Sequence, residues 1–519
     1  MSSTLIRDAL IIDGTGADPY VGNVLIREDR IAAIHPSEHV EADCLVHGEG
    51  LVLAPGFIDI HTHSDLTRFA YPSGETRILQ GITTEVIGNC GLSPVPLAAD
   101  SDGFRQSIGP IDVAPDVGLV WAGPHDYLDA LENLPASTNV AALIGHGSIR
   151  QFVMGQQPTV PDDEQSEGMR DAIRQALAAG FWGVSLGLMY SPGEHAALAE
   201  LIAVAEVVKE YDATLSAHMR AYDYDGLPAA VSELIDVTER TGVSMQLSHL
   251  RSVADPQGEA LDRALRMLEE TEANISADAY PYVAGHTSIV QLFPVALRAR
   301  GAGAVLEMIA DSRSALADQL RVEQRFAPDA ITVARAGEGK ASEVGSTIAE
   351  LATASSRDWA ETMIDLVERY DASIDVIVVG TRNGDADRVL RLPYVSVASD
   401  GVALSMTHDA NMPHPRSAGT FPKAFRQLVD GGIAVQEAIR KMTSMPAEKL
   451  GLEGRGVLKE GAVADLVLFD AQSFRDTATY AVPLSAPIGV DSVWVNGRRV
   501  VESGISTGLL PGKLLRRVK

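Results

Sequence analysis

Six residues with metal-binding side chains each stand where an apolar run ends. They are His61 and His63 in Gly-Phe-Ile-Asp-Ile-His-Thr-His, Cys90 in Val-Ile-Gly-Asn-Cys, His218 in Leu-Ser-Ala-His, His249 in Gln-Leu-Ser-His and Asp400 in Val-Ala-Ser-Asp. Residues two apart on a strand face the same side, so His61 and His63 can share a cation if the strand runs on through Thr62. Cys90 as a thiolate is a strong zinc ligand, and its sulfur can bridge two ions. Any one of these residues alone reads as a satisfied core side chain. All six at strand ends read as one metal centre. Nitrogen and sulfur donors beside a carboxylate favour zinc over magnesium or calcium. Zinc lowers the pKa of its water and polarises a carbonyl, while Asp400 beside that water can carry a proton to a leaving nitrogen. The chemistry expected is metal-assisted hydrolysis, most naturally of an amide.

Ligands so far apart in sequence converge if the apolar runs are parallel strands whose C-terminal ends face one site, as in a (β/α)8 barrel. Eight candidate strands fit: Gly56–His61, Thr84–Asn89, Asn139–Ile144, Trp182–Leu188, Thr214–Ala217, Ser244–Ser248, Asn274–Ala277 and Tyr394–Ser399. Helix-length segments such as Glu164–Ala179, His195–Tyr211 and Glu259–Thr271 intervene, with apolar residues three and four apart. This order predicts an α/β fold with a TIM-like barrel; an open doubly wound sheet is the fallback. Short β runs at Leu5–Ile12, Asn23–Arg27 and Arg30–His35, and again at Ala464–Phe469, Val490–Val495 and Arg499–Val501, predict a small β-sandwich shared by the two ends. The expected division is residues 1–55 with 450–519 as the sandwich, 56–284 with 376–449 as the hydrolase barrel, and 285–375 as an inserted lid over the active site.

The chain has 519 residues, is 46% hydrophobic, and carries 42 Lys+Arg against 70 Asp+Glu, for a formal charge of −28. Such a balance argues against a nucleic-acid partner, because no basic surface is evident to neutralise phosphates. The two cysteines, Cys44 and Cys90, suit a reduced intracellular protein rather than a disulfide scaffold. The start lacks the basic and apolar regions of a secretory leader, and no apolar run spans a bilayer, so a cytoplasmic protein without a membrane partner is expected. Self-association into a homo-oligomer is compatible with this composition. Gly183-Val-Ser185-Leu-Gly187 matches the nucleophile-elbow pattern of serine hydrolases, a rival mechanism. That elbow requires an immediate strand-to-helix turn, whereas Leu-Met-Tyr-Ser-Pro-Gly follows here, so the match reads as accidental. A catalytically dead scaffold is disfavoured because all six ligands are present.

Together the motifs resemble the amidohydrolase superfamily, and within it the N-acyl-D-amino-acid deacylases (D-aminoacylases). The resemblance is carried by Gly56-Phe-Ile-Asp-Ile-His61-Thr-His63-Ser-Asp65, Gly81-Ile-Thr-Thr, Gly88-Asn-Cys90-Gly91, Ser216-Ala-His218-Met-Arg220 and Ser248-His249. Asp278-Ala-Tyr280-Pro-Tyr282, Ala398-Ser-Asp400-Gly401, His414-Pro-Arg416-Ser-Ala-Gly419 and the closing Gly461-Ala-Val-Ala-Asp465 extend it over nearly the whole chain. It implies a tight zinc site of Cys90, His218 and His249, with a second, weaker site of His61, His63, Cys90 and Asp400. It further implies that metal-bound hydroxide attacks the acyl carbonyl of an N-acyl-D-amino acid, with Asp400 as general acid and base. The implied partner is a small amide substrate carrying a carboxylate, held by Arg416, with Ser288 near that carboxylate and Tyr190 and Tyr282 positioning the amide. Arg251 stands where close relatives tend to carry lysine, and His286-Thr287-Ser288 departs from their small-residue run, which leaves side-chain preference open. His146 is expected to support the site from behind. The alternative within the superfamily is an enzyme for a cyclic amide, a dipeptide or a bulky N-acyl compound.

Overall fold

The computed structural model describes residues 3–35, 40–98, 117–155, 159–337, 341–408 and 411–518. Eight parallel strands form one sheet: Phe57–Asp59, Ile82–Ile87, Asn139–Gly145, Gly183–Gly187, Thr214–His218, Ser244–Leu247, Ile275–Ala279 and Val395–Val397. They lie side by side in chain order, each paired in parallel with the next. The apolar runs are nearly unbroken because both faces of such strands are covered, by the barrel interior on one side and by helices on the other.

The seam between the first and last strands closes just beyond their ends. Asp400 N–H donates to His61 O at 2.8 Å, and His63 N–H donates to Gly401 O at 2.8 Å. Three of the six candidate ligands therefore sit on the closing seam itself. Asp59 reinforces it from below: one carboxylate oxygen accepts the Ser399 N–H at 2.9 Å, and the other accepts from Arg77 at 3.2 Å. Arg77 is fully buried and also reaches Ser399 Oγ at 2.9 Å and the Ser417 carbonyl.

Helices follow the strands as the periodicity predicts, among them Asp163–Ala179, Leu198–Glu210 and Glu259–Glu270. Asp162 starts the first of these with a capping box, its carboxylate accepting the Gln165 N–H. A contiguous apolar core joins these helices to the barrel, with Val184, Leu215, Leu234, Met245 and Leu261 shielded from solvent.

Strands from both ends share one nine-stranded sheet. Ser3–Ile11 pairs with Tyr20–Arg27 and, in parallel, with Val52–Pro55, which in turn pairs with Leu466–Phe469. Val490–Val495 and Arg498–Glu502 turn through Asn496 and Gly497, both at positive φ, as a tight hairpin of this kind requires. Between the seventh and eighth barrel strands lies a subdomain with its own antiparallel sheet, in the order Ala284–Ser288, Ile374–Val379, Ile331–Ala336. Its separate core includes Phe293, Val305, Leu320, Ile364 and Val376. Its first strand begins at Ala284, which pairs with Val379 at the end of the central strand. Among the described residues, no helix is long and apolar enough to cross a membrane.

Candidate metal centre

At the C-terminal ends of the strands, two donor groups share one sulfur. His61, His63, Cys90 and Asp400 have ligand atoms within 4.8 Å of one another, as do Cys90, His218 and His249, and all six residues are buried. Cys90 Sγ lies 3.4 Å from His61 Nε2 and 3.6 Å from His249 Nε2. Asp400 Oδ1 lies 3.0 Å from His63 Nε2 and 3.5 Å from His61 Nε2.

Local backbone conformation aims these side chains. Cys90, His249 and Asp400 all adopt positive φ, so each strand end turns sharply at its ligand. Close approach beneath Cys90 depends on glycine: a Cβ on Gly187 would stand 2.1 Å from the Cys90 carbonyl oxygen. Ser185, the central residue of the elbow-like motif, is fully buried there. Its Oγ accepts the Gly91 N–H at 2.9 Å and donates to Gly88 O at 2.5 Å, so it braces the loop that carries Cys90. This geometry gives Ser185 a structural task, and Ser185 is not among the described residues that line the cavity.

The donor set fits a cation. Both ring nitrogens of His218 are buried without a hydrogen-bond partner, as is Nδ1 of His63 and of His249. Unpaired polar atoms in that number are costly unless a ligand satisfies them. Burial would raise the Cys90 thiol, but the neighbouring imidazoles of His61, His218 and His63 outweigh it and hold it well below its ordinary range. Burial also opposes ionisation of Asp400, yet Arg416 and the histidines keep it well below a usual carboxylate. Burial lowers His218 to about 4, which leaves its ring neutral and fit to ligate. Against burial, the charges of Asp278 and Cys90 raise His61 well above the usual histidine range, and Cys90 and Asp400 raise His63 to about 9, so a cation bound there would displace protons from these two rings. Two anions beside imidazole nitrogens in a dry pocket are a donor set that suits zinc.

A second layer fixes the ligands. Asp278 Oδ1 lies 3.3 Å from His61 Nδ1 and accepts the His249 N–H at 2.7 Å, while Oδ2 accepts from Gln246 at 3.1 Å. Tyr222 packs against both His218 and His249, at 5.0 and 5.1 Å between ring centroids. Asp278 opens one of the motifs that carry the family resemblance but has no role assigned from sequence, and Tyr222 carries no sequence signal; the signal available for Asp278 is an aspartate near the end of the seventh strand, Ile275–Ala279.

Of the expected substrate contacts, Tyr190, Arg251 and Arg416 line the cavity over the ligands. Tyr190 packs on His218 at 4.7 Å. Arg251 lies between Tyr222 and Tyr280, 5.8 and 5.4 Å from their ring centres, and against the backbone of Gly285. Tyr282 and Ser288 are not among the described residues that line this cavity. The Tyr282 hydroxyl points to Pro415 O at 3.4 Å, and Ser288 Oγ caps a short turn by accepting the Val290 N–H at 3.4 Å. His286 does line the cavity, and its Nε2 is buried without a partner. His146 sits behind the site, 2.8 Å from Glu200, which also accepts from Arg150 at 3.0 Å. Arg150 in turn donates to Pro192 O at 3.1 Å, bracing the loop after Tyr190.

A family model described as the amidohydrolase family matches residues 46–501. A D-aminoacylase from Alcaligenes xylosoxydans xylosoxydans is 32% identical over 524 residues, covering 99% of this chain and 97% of that protein. An N-acyl-D-aspartate deacylase of the same organism is 31% identical, with 98% and 94% covered. The crystal structure of an N-acyl-D-glutamate deacylase from Bordetella bronchiseptica, complexed with zinc and a phosphonate mimic of the tetrahedral intermediate, aligns with a TM-score of 0.83. It is 29% identical, over 99% of each chain. A D-aminoacylase crystal structure aligns at 0.82 with 28% identity, again over 99% of each. By this full-length match and the barrel that bears it out, the chain belongs to the amidohydrolase family.

Proposed function

We propose that this protein is a zinc-dependent hydrolase that removes the acyl group from N-acyl-D-amino acids, releasing a carboxylate and the free D-amino acid. The observation that carries the reading is the buried Cys90 sulfur shared by two donor groups, in a chain similar along its whole length to N-acyl-D-amino-acid deacylases. Cys90, His218 and His249 would hold one zinc ion; His61, His63, Cys90 and Asp400 would hold a second, more weakly. Zinc bound there supplies a water of near-neutral pKa and polarises the scissile carbonyl.

The protein's own groups do the rest. Asp400, ionised and facing the histidines through Oδ1, takes a proton from the attacking water and delivers it to the departing nitrogen. Arg416 offers N–H groups to the substrate carboxylate, with Arg251 as a second cation on the same cavity wall. Tyr190 presents its ring beside His218 and confines the amide. The inserted subdomain contributes His286 and Thr287 to the wall and so limits water above the reacting bond. The reading includes a cytoplasmic location, which the free thiols of Cys44 and Cys90 support. Homo-oligomers are compatible with it.

The test is amine release from matched N-acetyl-D- and N-acetyl-L-amino acids with apolar, acidic and aromatic side chains, using zinc-loaded protein. Release from the D series alone is expected. Equal release from both series, or none from either with zinc confirmed bound, overturns the substrate assignment. In the second case cyclic amides are the next substrates to assay.

A further inference from the structure

The His414-Pro-Arg416 run contributes only one carboxylate contact to the reading above, yet its histidine is held on every side. His414 is 1% exposed. Tyr282 and Tyr480 meet its ring edge-on, with centroids at 5.2 and 5.3 Å. Its Nδ1 accepts the backbone N–H of Arg416 at 3.0 Å, and its Nε2 lies 3.2 Å from the carbonyl oxygen of Ala284. A carbonyl only accepts, so Nε2 carries the proton; an N–H only donates, so Nδ1 is bare. These two bonds leave a single neutral tautomer. Burial, and next the charge of Arg416, keep the ring well below the usual histidine range, in agreement.

The two partners matter by position. Ala284 opens the first strand of the inserted subdomain, and Arg416 opens the helix Arg416–Asp430. From there Arg416 donates through Nη1 to Asp400 Oδ2 at 2.6 Å, both side chains being buried. Its guanidinium lies 5.1 Å over the Tyr280 ring and makes no other hydrogen bond among the described residues, although it lines the cavity. Asp400 is thus split, with Oδ1 toward the metal-site histidines and Oδ2 toward Arg416.

We propose that His414 is a positioning residue that fixes Arg416, and that Arg416 serves two carboxylates: that of Asp400 through Nη1 and that of the substrate through its remaining N–H groups. The inference rests on the hydrolase reading for every effect on kcat and KM, and the tautomer of His414 stands apart from it. A pure substrate anchor acts on KM, because its contact is equal in ground and transition states. An arginine that also orients the proton carrier acts on kcat. Arg416→Ala therefore lowers kcat by about tenfold or more while also raising KM, as loss of a charged hydrogen bond predicts. An unchanged kcat overturns the double role.

His414 is tested by two polar variants that split its hydrogen bonds. His414→Asn places an amide oxygen where Nδ1 stood and keeps the acceptor for Arg416. His414→Gln keeps a donor toward Ala284 O and loses that acceptor. With zinc content and Tm matched, Asn retains kcat within a few-fold, whereas Gln loses about tenfold to a hundredfold. Equal losses in the two variants overturn the positioning role. The tautomer is read without any turnover, from 15N-histidine-labelled protein at pH 7, with the His414 signal assigned by its loss in the Asn variant. One protonated and one bare nitrogen, with Nε2 protonated, is expected. The opposite tautomer or an imidazolium overturns the assignment, even if no N-acyl amino acid proves to be a substrate.

Discussion

Replacing Ser185 by alanine separates the two mechanisms that the sequence offers. Its hydroxyl accepts the Gly91 N–H and donates to Gly88 O, and all three residues lie in the buried support of Cys90. Alanine leaves one amide and one carbonyl without partners. Each lost bond is worth about 1 kcal/mol net, and a buried orphan costs about 1–3 kcal/mol, so roughly 3 kcal/mol is expected in all. With an unfolding entropy of about 2.1 cal/mol/K per residue, a cooperative chain of this length loses about 3 °C in Tm. The local consequence is larger, because the orphaned amide belongs to the residue after Cys90 and its carbonyl to the residue two before. Zinc affinity falls, while kcat per bound zinc stays within about tenfold, since the ligand type is unchanged. The assay is thermal unfolding and zinc stoichiometry beside kcat at saturating zinc. A nucleophilic serine would behave in the opposite way, with an unchanged Tm and a loss of about 10³-fold or more in turnover. That pattern would refute the supporting role and the metal mechanism together.

Other outcomes follow from the same geometry. Asp400→Asn keeps the bond to Arg416 only in weakened, neutral form and removes the proton carrier, so kcat falls by about 10²–10⁴-fold with Tm little changed; near-normal turnover would remove Asp400 from the proton path. Dialysis against a chelator abolishes activity and added zinc restores it, with a fall in Tm on stripping because six buried donors lose their cation; activity that survives verified metal removal would sink the hydrolase mechanism proposed here. Gly187→Ala drives a methyl to 2.1 Å from the Cys90 carbonyl, so the ligand loop must shift by about 1 Å and kcat falls about 10²-fold; wild-type kinetics would show that the loop yields without moving the sulfur. Burial lowers Lys449 to about 7, beneath the bottom of the barrel where it donates to Met245 O at 2.6 Å. Between that value and an unfolded value near 10.5 the unfolded chain binds the extra proton, so the lysine makes stability rise with pH across this window, by at most about 1.4 kcal/mol per pH unit. Urea midpoints of wild type and Lys449→Met from pH 7 to 9.5 isolate its share: the wild-type curve climbs more steeply, and parallel curves would contradict the shift.

What the sequence revealed, and what it hid, follows from how each residue is selected. Metal ligands are constrained by chemical type, so His61, His63, Cys90, His218, His249 and Asp400 stood out once the strand ends were found. The barrel was legible for a related reason: parallel strands buried on both faces read as apolar runs, and the helices between them keep their own period. Asp278 and His414 open motifs that carry the family resemblance, yet no motif says what either residue holds, and Tyr222 carries no mark at all. Asp278, Tyr222 and His414 owe their roles to partners that other strands and the inserted subdomain bring to them, and any buried polar side chain would have looked the same in one dimension. Tyr282 and Ser288 show the converse. The family resemblance implies them as substrate contacts, but the direction of a hydroxyl is decided by the fold around it; here the Tyr282 hydroxyl faces Pro415 O and Ser288 Oγ accepts the Val290 N–H. The elbow-like motif around Ser185 is the sharpest instance, because the same small residues that serve a nucleophile elsewhere are needed here for a carbonyl to pass at close range. Short motifs record that backbone and side chain must fit tightly, and only the third dimension says around what. In this chain it is the loop of Cys90, so substitutions in that motif should be read first in metal retention and only then in rate.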